Sequence, residues 1–219
     1  EHIAGNPEKI LLCGWRRDIR DVLLHLDKVV CRGSEVHMMT HCVPLNQRDK
    51  RLLDEGFDVS ELVNIRIVHH YGNTSVRRKL EELPVEAYSS CMIFADEAFE
   101  SDSLHADSHS LATLLLFRDI QSQRLQAGSR GPSKDRPGSR VPSKDREAAM
   151  GPRSWADMKT GTVVVGMMNE VVLCPIICEV LDPHTQKTIV NNRPLSLASD
   201  FCQTNRLIAQ ILAMIAEER

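Results

Sequence analysis

The stretch Cys13-Gly14-Trp15-Arg16-Arg17-Asp18 lies between an apolar run, Ile10 to Leu12, and an amphipathic one that begins at Ile19. A glycine-rich turn at such a strand-to-helix junction holds a dinucleotide: one glycine makes the turn, the next lets bare backbone approach the pyrophosphate, and the third lets helix pack on strand. Here Gly14 fits the first position, but Arg16 occupies the second and Ile19 the third. The other requirement is an acidic residue at the end of the second strand to bind ribose hydroxyls, yet that strand ends in Thr40-His41, and Glu35 falls at its opposite end. Two independent parts of a coenzyme site are missing, so guanidinium and indole bulk are expected to block the cleft. A stand-alone nucleotide-dependent enzyme with a degenerate turn is the alternative reading.

A second group of chemically capable residues follows the fourth apolar run: Asp96, Glu97 and Glu100, then Asp102 and Asp107. In a doubly wound sheet the first and fourth strands are neighbours, and the loops at their carboxyl ends face one crevice. The five carboxylates would therefore meet Gly14, Trp15, Arg16, Arg17 and Asp18. Two uses are open. Arginine forks pair with Asp96 and Glu97 and fix the crevice without a ligand, or the carboxylates gather a hard divalent cation such as Ca²⁺, which prefers oxygen ligands on flexible loops. No twelve-residue calcium loop is present. His105 and His109 have the i, i+4 spacing that chelates a transition metal on one helix face, although a solvated first helical turn is the simpler account of them. A Gly-x-Ser-x-Gly elbow and a Walker loop are both absent, so catalysis is not expected.

The elements that must position these residues follow from periodicity. Strands are predicted at Lys9 to Cys13, Glu35 to Val43, Ile65 to His69 and Ser90 to Ala95, alternating with helices at Ile19 to Val30, Leu45 to Glu55, Ser75 to Leu83 and Ser103 to Leu125. Gly56 and Pro84 stop two of these helices. The alternation predicts an α/β fold, a doubly wound, mainly parallel Rossmann-like sheet with helices on both faces. Residues 126–159 break the pattern with a near-perfect tandem copy, GSRGPSKDR at 128–136 and GSRVPSKDR at 138–146. Rich in Pro, Gly, Ser and charge, this stretch is expected to be a disordered basic linker. Residues 160–219 then complete the domain begun by residues 1–125: strands at Thr162 to Val172 and Pro175 to Leu181, a turn at Asp182 to Thr185, and a helix from Asp200 to Arg219. Phe201, Leu207, Ile208, Ile211, Leu212 and Ile215 would line one stripe of that helix.

The net charge of −3 argues against nucleic acid as a partner, but it averages two unlike parts. Residues 126–159 hold eight Lys or Arg against four Asp or Glu, which leaves the remainder at −7. Seven cysteines in mostly apolar surroundings read as reduced thiols in an intracellular protein. The most apolar window, Val163 to Leu181, carries Asn169, Glu170 and Pro175 near its middle and is not expected to span a membrane.

Ile3 to Asp18 (IAGNPEKILLCGWRRD), Ala95 to Glu97 and Ala106 to Gln121 (ADSHSLATLLLFRDIQ) closely resemble the Castor/Pollux ion channels of plant nuclear envelopes, and the likeness resumes at Ile176 to Asp182 (IICEVLD). The resemblance implies the regulatory portion of a cation channel, similar to the domains that regulate potassium conductance. It implies assembly as a homo-oligomeric, tetrameric gating ring, pore helices outside this chain, location at the nuclear membrane, a part in the calcium signalling of root symbiosis, and Ca²⁺ as regulator. An effector that binds one arrangement of the crevice more tightly would shift the assembly toward it and pull on the pore.

Overall fold

A computed structural model of the chain describes residues 6–129, 173–196 and 199–203. They form a six-stranded sheet in the order β3-β2-β1-β4-β5-β6. The strands are β1 (Lys9–Cys13), β2 (Ser34–Thr40), β3 (Ile65–Tyr71), β4 (Ser90–Ile93), β5 (Ile176–Glu179) and β6 (Asp200–Cys202). Every pairing is parallel, with Cys13 beside Met39 on one flank and beside Ile93 on the other. This is the predicted α/β architecture, and β1 and β4 are adjacent as the crevice requires.

Side chains of β1 alternate between two cores, because successive residues of a strand point to opposite faces. Ile10 and Leu12 pack with α1 (Ile19–Val29) and α2 (Leu45–Asp54), while Leu11 and Cys13 pack with α3 (Arg77–Glu81) and α4 (Ser103–Ser129). On α4 the buried residues Ala106, Ser110, Thr113, Leu114, Phe117 and Ile120 recur at helical spacing, and each large apolar one contributes about 1.5–3 kcal/mol by leaving water. The helix runs to Ser129, four residues beyond the boundary expected at Leu125. Cys13, Cys91, Cys174 and Cys178 are buried thiols of the same core, whereas Cys202 is exposed.

Several boundaries differ from expectation for local reasons. The Thr40 hydroxyl accepts from the Cys42 amide and turns the chain, so β2 stops before Val43. Asn73 Oδ1 accepts from the amide and hydroxyl of Ser75, and this turn delays α3 to Arg77. The expected turn at Asp182 to Thr185 is instead the start of α5 (Pro183–Asn191). Asp182 caps it by accepting from the Thr185 amide at 3.0 Å, and Pro183 occupies the first helical position. A short helix, α6 (Arg193–Ser196), follows. The helix expected from Asp200 begins as β6, because Asp200, Phe201 and Cys202 pair with Ile177, Cys178 and Glu179. The basic repeat from residue 130 onward, the strand expected at 162–172 and the stripe from Leu207 to Ile215 lie outside the described residues. Among the described residues no helix is long and apolar enough to cross a membrane.

Candidate functional site

The crevice is assembled around the turn after β1. Gly14 has φ +99°, and a Cβ there would lie 2.7 Å from the carbonyl oxygen of Phe94. Its amide donates to Met39 O at 2.9 Å, while the Phe94 amide donates to Cys13 O at 2.8 Å. Only glycine allows the exits of β1, β2 and β4 to approach this closely.

Trp15 does not block the cleft. Its indole is fully buried in the core against α1 and α2, with the Arg51 guanidinium 6.0 Å from its ring. The apolar ring is drawn to the larger apolar volume, and only its backbone serves the crevice. Its amide donates to Asp96 Oδ2 at 3.3 Å, and its carbonyl accepts from the Glu97 amide at 2.9 Å.

Arg16 occupies the position of the missing second glycine. It forks onto Asp18, with Nε 2.7 Å from Oδ1 and a terminal nitrogen 3.1 Å from Oδ2, and its other terminal nitrogen lies 2.5 Å from Glu179 Oε1. The arginine forks expected on Asp96 and Glu97 therefore do not come from Arg16 or Arg17. The acidic partner of Arg16 comes from β5, whose carboxyl end rises beside the turn once β5 is paired with β4. Glu179 is 5% exposed and also accepts from the Ala95 amide at 3.0 Å. Burial alone would lower the Arg16 pKa, but Glu179, then Asp18 and Glu100, outweigh it and the net shift is upward.

The acidic residues have separate partners. Asp96, 3% exposed, accepts from Thr40 Oγ1 at 2.8 Å as well as from Trp15, and so ties together the ends of β1, β2 and β4. Glu97 lies 2.5 Å from Arg51, and Glu100 lies 2.8 Å from Arg17. Asp102 caps α4 by accepting from the His105 amide at 3.0 Å. Asp107 is fully buried and accepts from the amides of Leu181 and Asp182 at 2.7 and 2.9 Å, which pins α4 to the exit of β5. The structure thus disperses the five carboxylates, and among the described residues no three His, Cys, Asp or Glu side chains group to hold a metal ion. This arrangement is not a preformed Ca²⁺ cage, which needs six or more oxygens around one point.

His105 is exposed on the first turn of α4 and His109 is half-buried, and among the described residues neither joins a group of three metal-binding side chains. Both rings pack on Phe99, at centroid distances of 4.7 and 5.5 Å, and His109 Nε2 lies 2.9 Å from Asn73 Oδ1. Asp107 turns away from them, since residues two apart on a helix point in different directions. Burial, followed by Asp96, pushes the Cys42 thiol up to about 12, which disfavours its thiolate.

Two residues that the sequence did not single out complete the frame. Glu179 is one; its signal was an acidic residue ending an apolar strand. Arg48 is the other, a fully buried arginine whose guanidinium donates to the carbonyls of Val43, Met38, Thr40 and His70 at 2.8–3.2 Å and lies 3.3 Å from His69 Nδ1. It occupies the inward face of an otherwise polar helix, which is where an apolar residue would be expected.

No family model matches the sequence. The chain is 39% identical over 217 residues to the "Probable ion channel CASTOR" of Oryza sativa subsp. japonica, covering 99% of this chain and 22% of that protein. It is 40% identical over 213 residues to that organism's "Probable ion channel POLLUX", covering 97% of this chain and 20% of that protein. It is also 40% identical over 214 residues to the "Ion channel CASTOR" of Lotus japonicus, covering 98% and 22%. The chain therefore spans about a fifth of the length of these relatives. Among solved structures, the human SLO3 gating ring superposes with a TM-score of 0.45 at 11% identity, over 90% of this chain and 24% of that one. Over nearly its whole length, the chain is similar to one segment of the Castor/Pollux ion channels.

Proposed function

We propose that the chain is a regulatory module of a cation channel, and that its crevice transmits an effector's binding to a pore carried elsewhere in the full-length protein. The observation that carries this reading is the connectivity of one turn. Residues 14–18 contact the exits of β2, β4 and β5 through Met39, Asp96, Glu100 and Glu179, so a shift at any of these strands is felt at the others. The turn itself offers a guanidinium where a coenzyme would need bare backbone, which favours sensing over turnover. Assembly into a tetrameric ring and location at the nuclear membrane accompany this reading from the resemblance alone. So does Ca²⁺ as effector, whereas the described carboxylates are not arranged around one point.

Mechanistically, the module contributes only the difference in an effector's affinity for two arrangements of the crevice. The ion pairs Arg16–Glu179, Arg17–Glu100 and Arg51–Glu97 belong to the present arrangement. A second arrangement that exchanges these partners is the state an effector would select.

The test is a chimera in which this chain replaces the matching segment of the Lotus japonicus channel, recorded as single-channel current. Conduction with an open probability that changes on Arg16→Gln or Glu179→Gln supports the reading. Conduction indifferent to both substitutions, and equally indifferent to deletion of the segment, overturns it.

A further inference from the structure

On the α3 side of the sheet, β2 and β3 place Glu35, His37 and Met39 beside Arg66, Val68 and His70, which are paired in register. His37 is 7% exposed and stands at the centre of a hydrogen-bonded group. Its Nε2 lies 3.3 Å from Glu35 Oε2. Hydrogen bonds from Arg66, Lys9 and His37, in that order, hold the Glu35 pKa near 2, so the carboxylate only accepts and His37 Nε2 carries a hydrogen. The other ring nitrogen, Nδ1, is approached by two groups: His70 Nε2 at 2.9 Å and Tyr88 Oη at 3.0 Å.

The number of protons this group can hold follows from its geometry. In neutral His37, Nδ1 offers one lone pair, which His70 Nε2–H and the Tyr88 hydroxyl share. With one proton added, His37 Nδ1–H donates to the lone pair of His70 Nε2, and the positive ring keeps Glu35 as its counterion. Either way a single hydrogen lies between the two nitrogens. With two protons added, N–H would oppose N–H at 2.9 Å, and two cationic rings would stack at a centroid distance of 5.0 Å and an interplanar angle of 22°. Like charges this close in a half-buried site repel strongly.

The surrounding charges reinforce this limit. Lys9 on β1 and Arg66 on β3 already compensate Glu35. Arg48 from α2 donates to the His70 carbonyl and contacts His69, which itself pairs with Asp49. Lys79 of α3 packs its stem against Gly72, with its ammonium on Glu82, and Glu86 and the Cys13 and Cys91 thiols face Tyr88. Burial lowers the His70 pKa, followed by His37, Arg48 and His69. His70 stands on the edge strand with solvent beside it, whereas His37 is enclosed, so His70 is the ring that yields.

His70 also stands at the end of β3, two residues before Gly72, whose amide donates to Thr40 O at 3.2 Å. The next two residues grip α4: Asn73 Oδ1 bonds His109 at 2.9 Å, and the Thr74 and Thr113 hydroxyls are 2.9 Å apart. A displaced His70 therefore loosens the lip of the crevice. We propose that His37 and His70 form a one-proton switch: one shared proton keeps the end of β3 docked, and a second ejects His70 and frees the turn of Gly72 to Thr74 from α4. The switch is a property of the fold and does not depend on what the full-length protein conducts.

The test is an NMR titration of the 219-residue chain from about pH 8 to pH 5, following the imidazole nitrogens and the hydrogen-exchange protection of the Gly72 to Thr74 amides. The expected result is two linked steps for His37 and His70, separated by more than about one pH unit, with Gly72 protection falling about ten-fold across the lower step. His70→Gln should abolish the lower step and make Gly72 protection insensitive to pH. Tyr88→Phe, which leaves both rings in place, should retain both steps and guards against a His70 variant that fails to fold. Independent single titrations of the two rings, Gly72 protection constant over this range, or loss of the lower step in Tyr88→Phe would each overturn the switch.

Discussion

Glu179 at the end of β5 reaches Arg16 in the turn after β1, 163 residues earlier in the chain, with Oε1 2.5 Å from the guanidinium. The contact spans the sheet's topological switch point, where doubly wound proteins place their ligands. Glu179 is nearly enclosed, so Arg16→Gln removes the guanidinium that faces a buried carboxylate. It should cost about 3 kcal/mol, within the usual range for breaking a buried pair. Glu179→Gln keeps an acceptor for Ala95 and should cost about half as much. Urea denaturation of both single variants and the double variant should show a coupling of about 1 kcal/mol or more; additivity would mean that the pair contributes nothing.

Gly14→Ala tests the turn itself. A Cβ 2.7 Å from the Phe94 carbonyl oxygen must push β1 and β4 apart, and φ +99° is unfavourable for alanine even without the clash. The expected loss is about 2–4 kcal/mol, read as a lowered melting temperature. Gly56→Ala is the control: its φ is +78°, but nothing lies within 4 Å of the added methyl, so its loss should be smaller by about 1 kcal/mol or more.

The strands were legible because alternating and continuous apolar runs report burial directly, as in Ile10 to Cys13. The turn was legible through Gly14. The partner of Arg16 was not, because the pairing of β5 with β4 depends on the tertiary register, and Glu179 was one acidic residue among 30 in the sequence. The dispersal of Asp96, Glu97, Glu100, Asp102 and Asp107 was equally hidden: sequence proximity placed them in one loop, but the amides and arginines that claim them come from the turn after β1, from α2, from α4 and from the exit of β5. Asp182 was misread as a turn residue because Asp-Pro begins turns and helices alike, and the deciding bond runs to the Thr185 amide. Arg48 gave no sign of burial, since arginine is seldom enclosed and its guanidinium is held by four backbone carbonyls.

Arg48→Met should therefore be among the most damaging substitutions outside the crevice. Methionine fills much of the volume but leaves the carbonyls of Val43, Met38, Thr40 and His70 without this donor, at about 3 kcal/mol or more in total. Arg48→Lys keeps the charge and loses the fork, so it should recover less than half of the loss. Thermal melts of the two variants separate packing from hydrogen bonding.

Acid should weaken the fold in two windows. Burial lowers the pKa of His69, His70 and His109, so the folded chain holds these rings neutral while the unfolded chain protonates them near the ordinary imidazole value of about 6.5. The unfolded state then binds more protons, and stability falls as pH drops below about 6.5 until the depressed folded values are passed. Glu35 acts lower: its stabilisation is complete above the ordinary value of 4.5 and is lost as pH falls toward about 2. Urea midpoints from about pH 8 to pH 3 should show both declines, and His109→Asn should reduce the first without changing the second.

The crevice carboxylates set how the chain should respond to small ligands. Glu97 and Glu100 are held by Arg51 and Arg17, whose side chains are 41% and 77% exposed, so a divalent cation must compete with two guanidinium groups that cost little to displace. Asp96, Asp102 and Asp107 are committed to hydroxyl or backbone donors and would have to give up structure to join a cation. Calorimetric titration of the chain with millimolar Ca²⁺ should therefore give weak heats, and Arg17→Ala with Arg51→Ala should strengthen them by about ten-fold by removing the competing charges. A melting screen with NAD, NADP and ATP should show no comparable stabilisation, because Arg16 and Asp18 occupy the start of α1, where a pyrophosphate would need free backbone donors. Strong stabilisation by a dinucleotide would mean that the Arg16 fork swings aside, and would return the crevice to coenzyme chemistry.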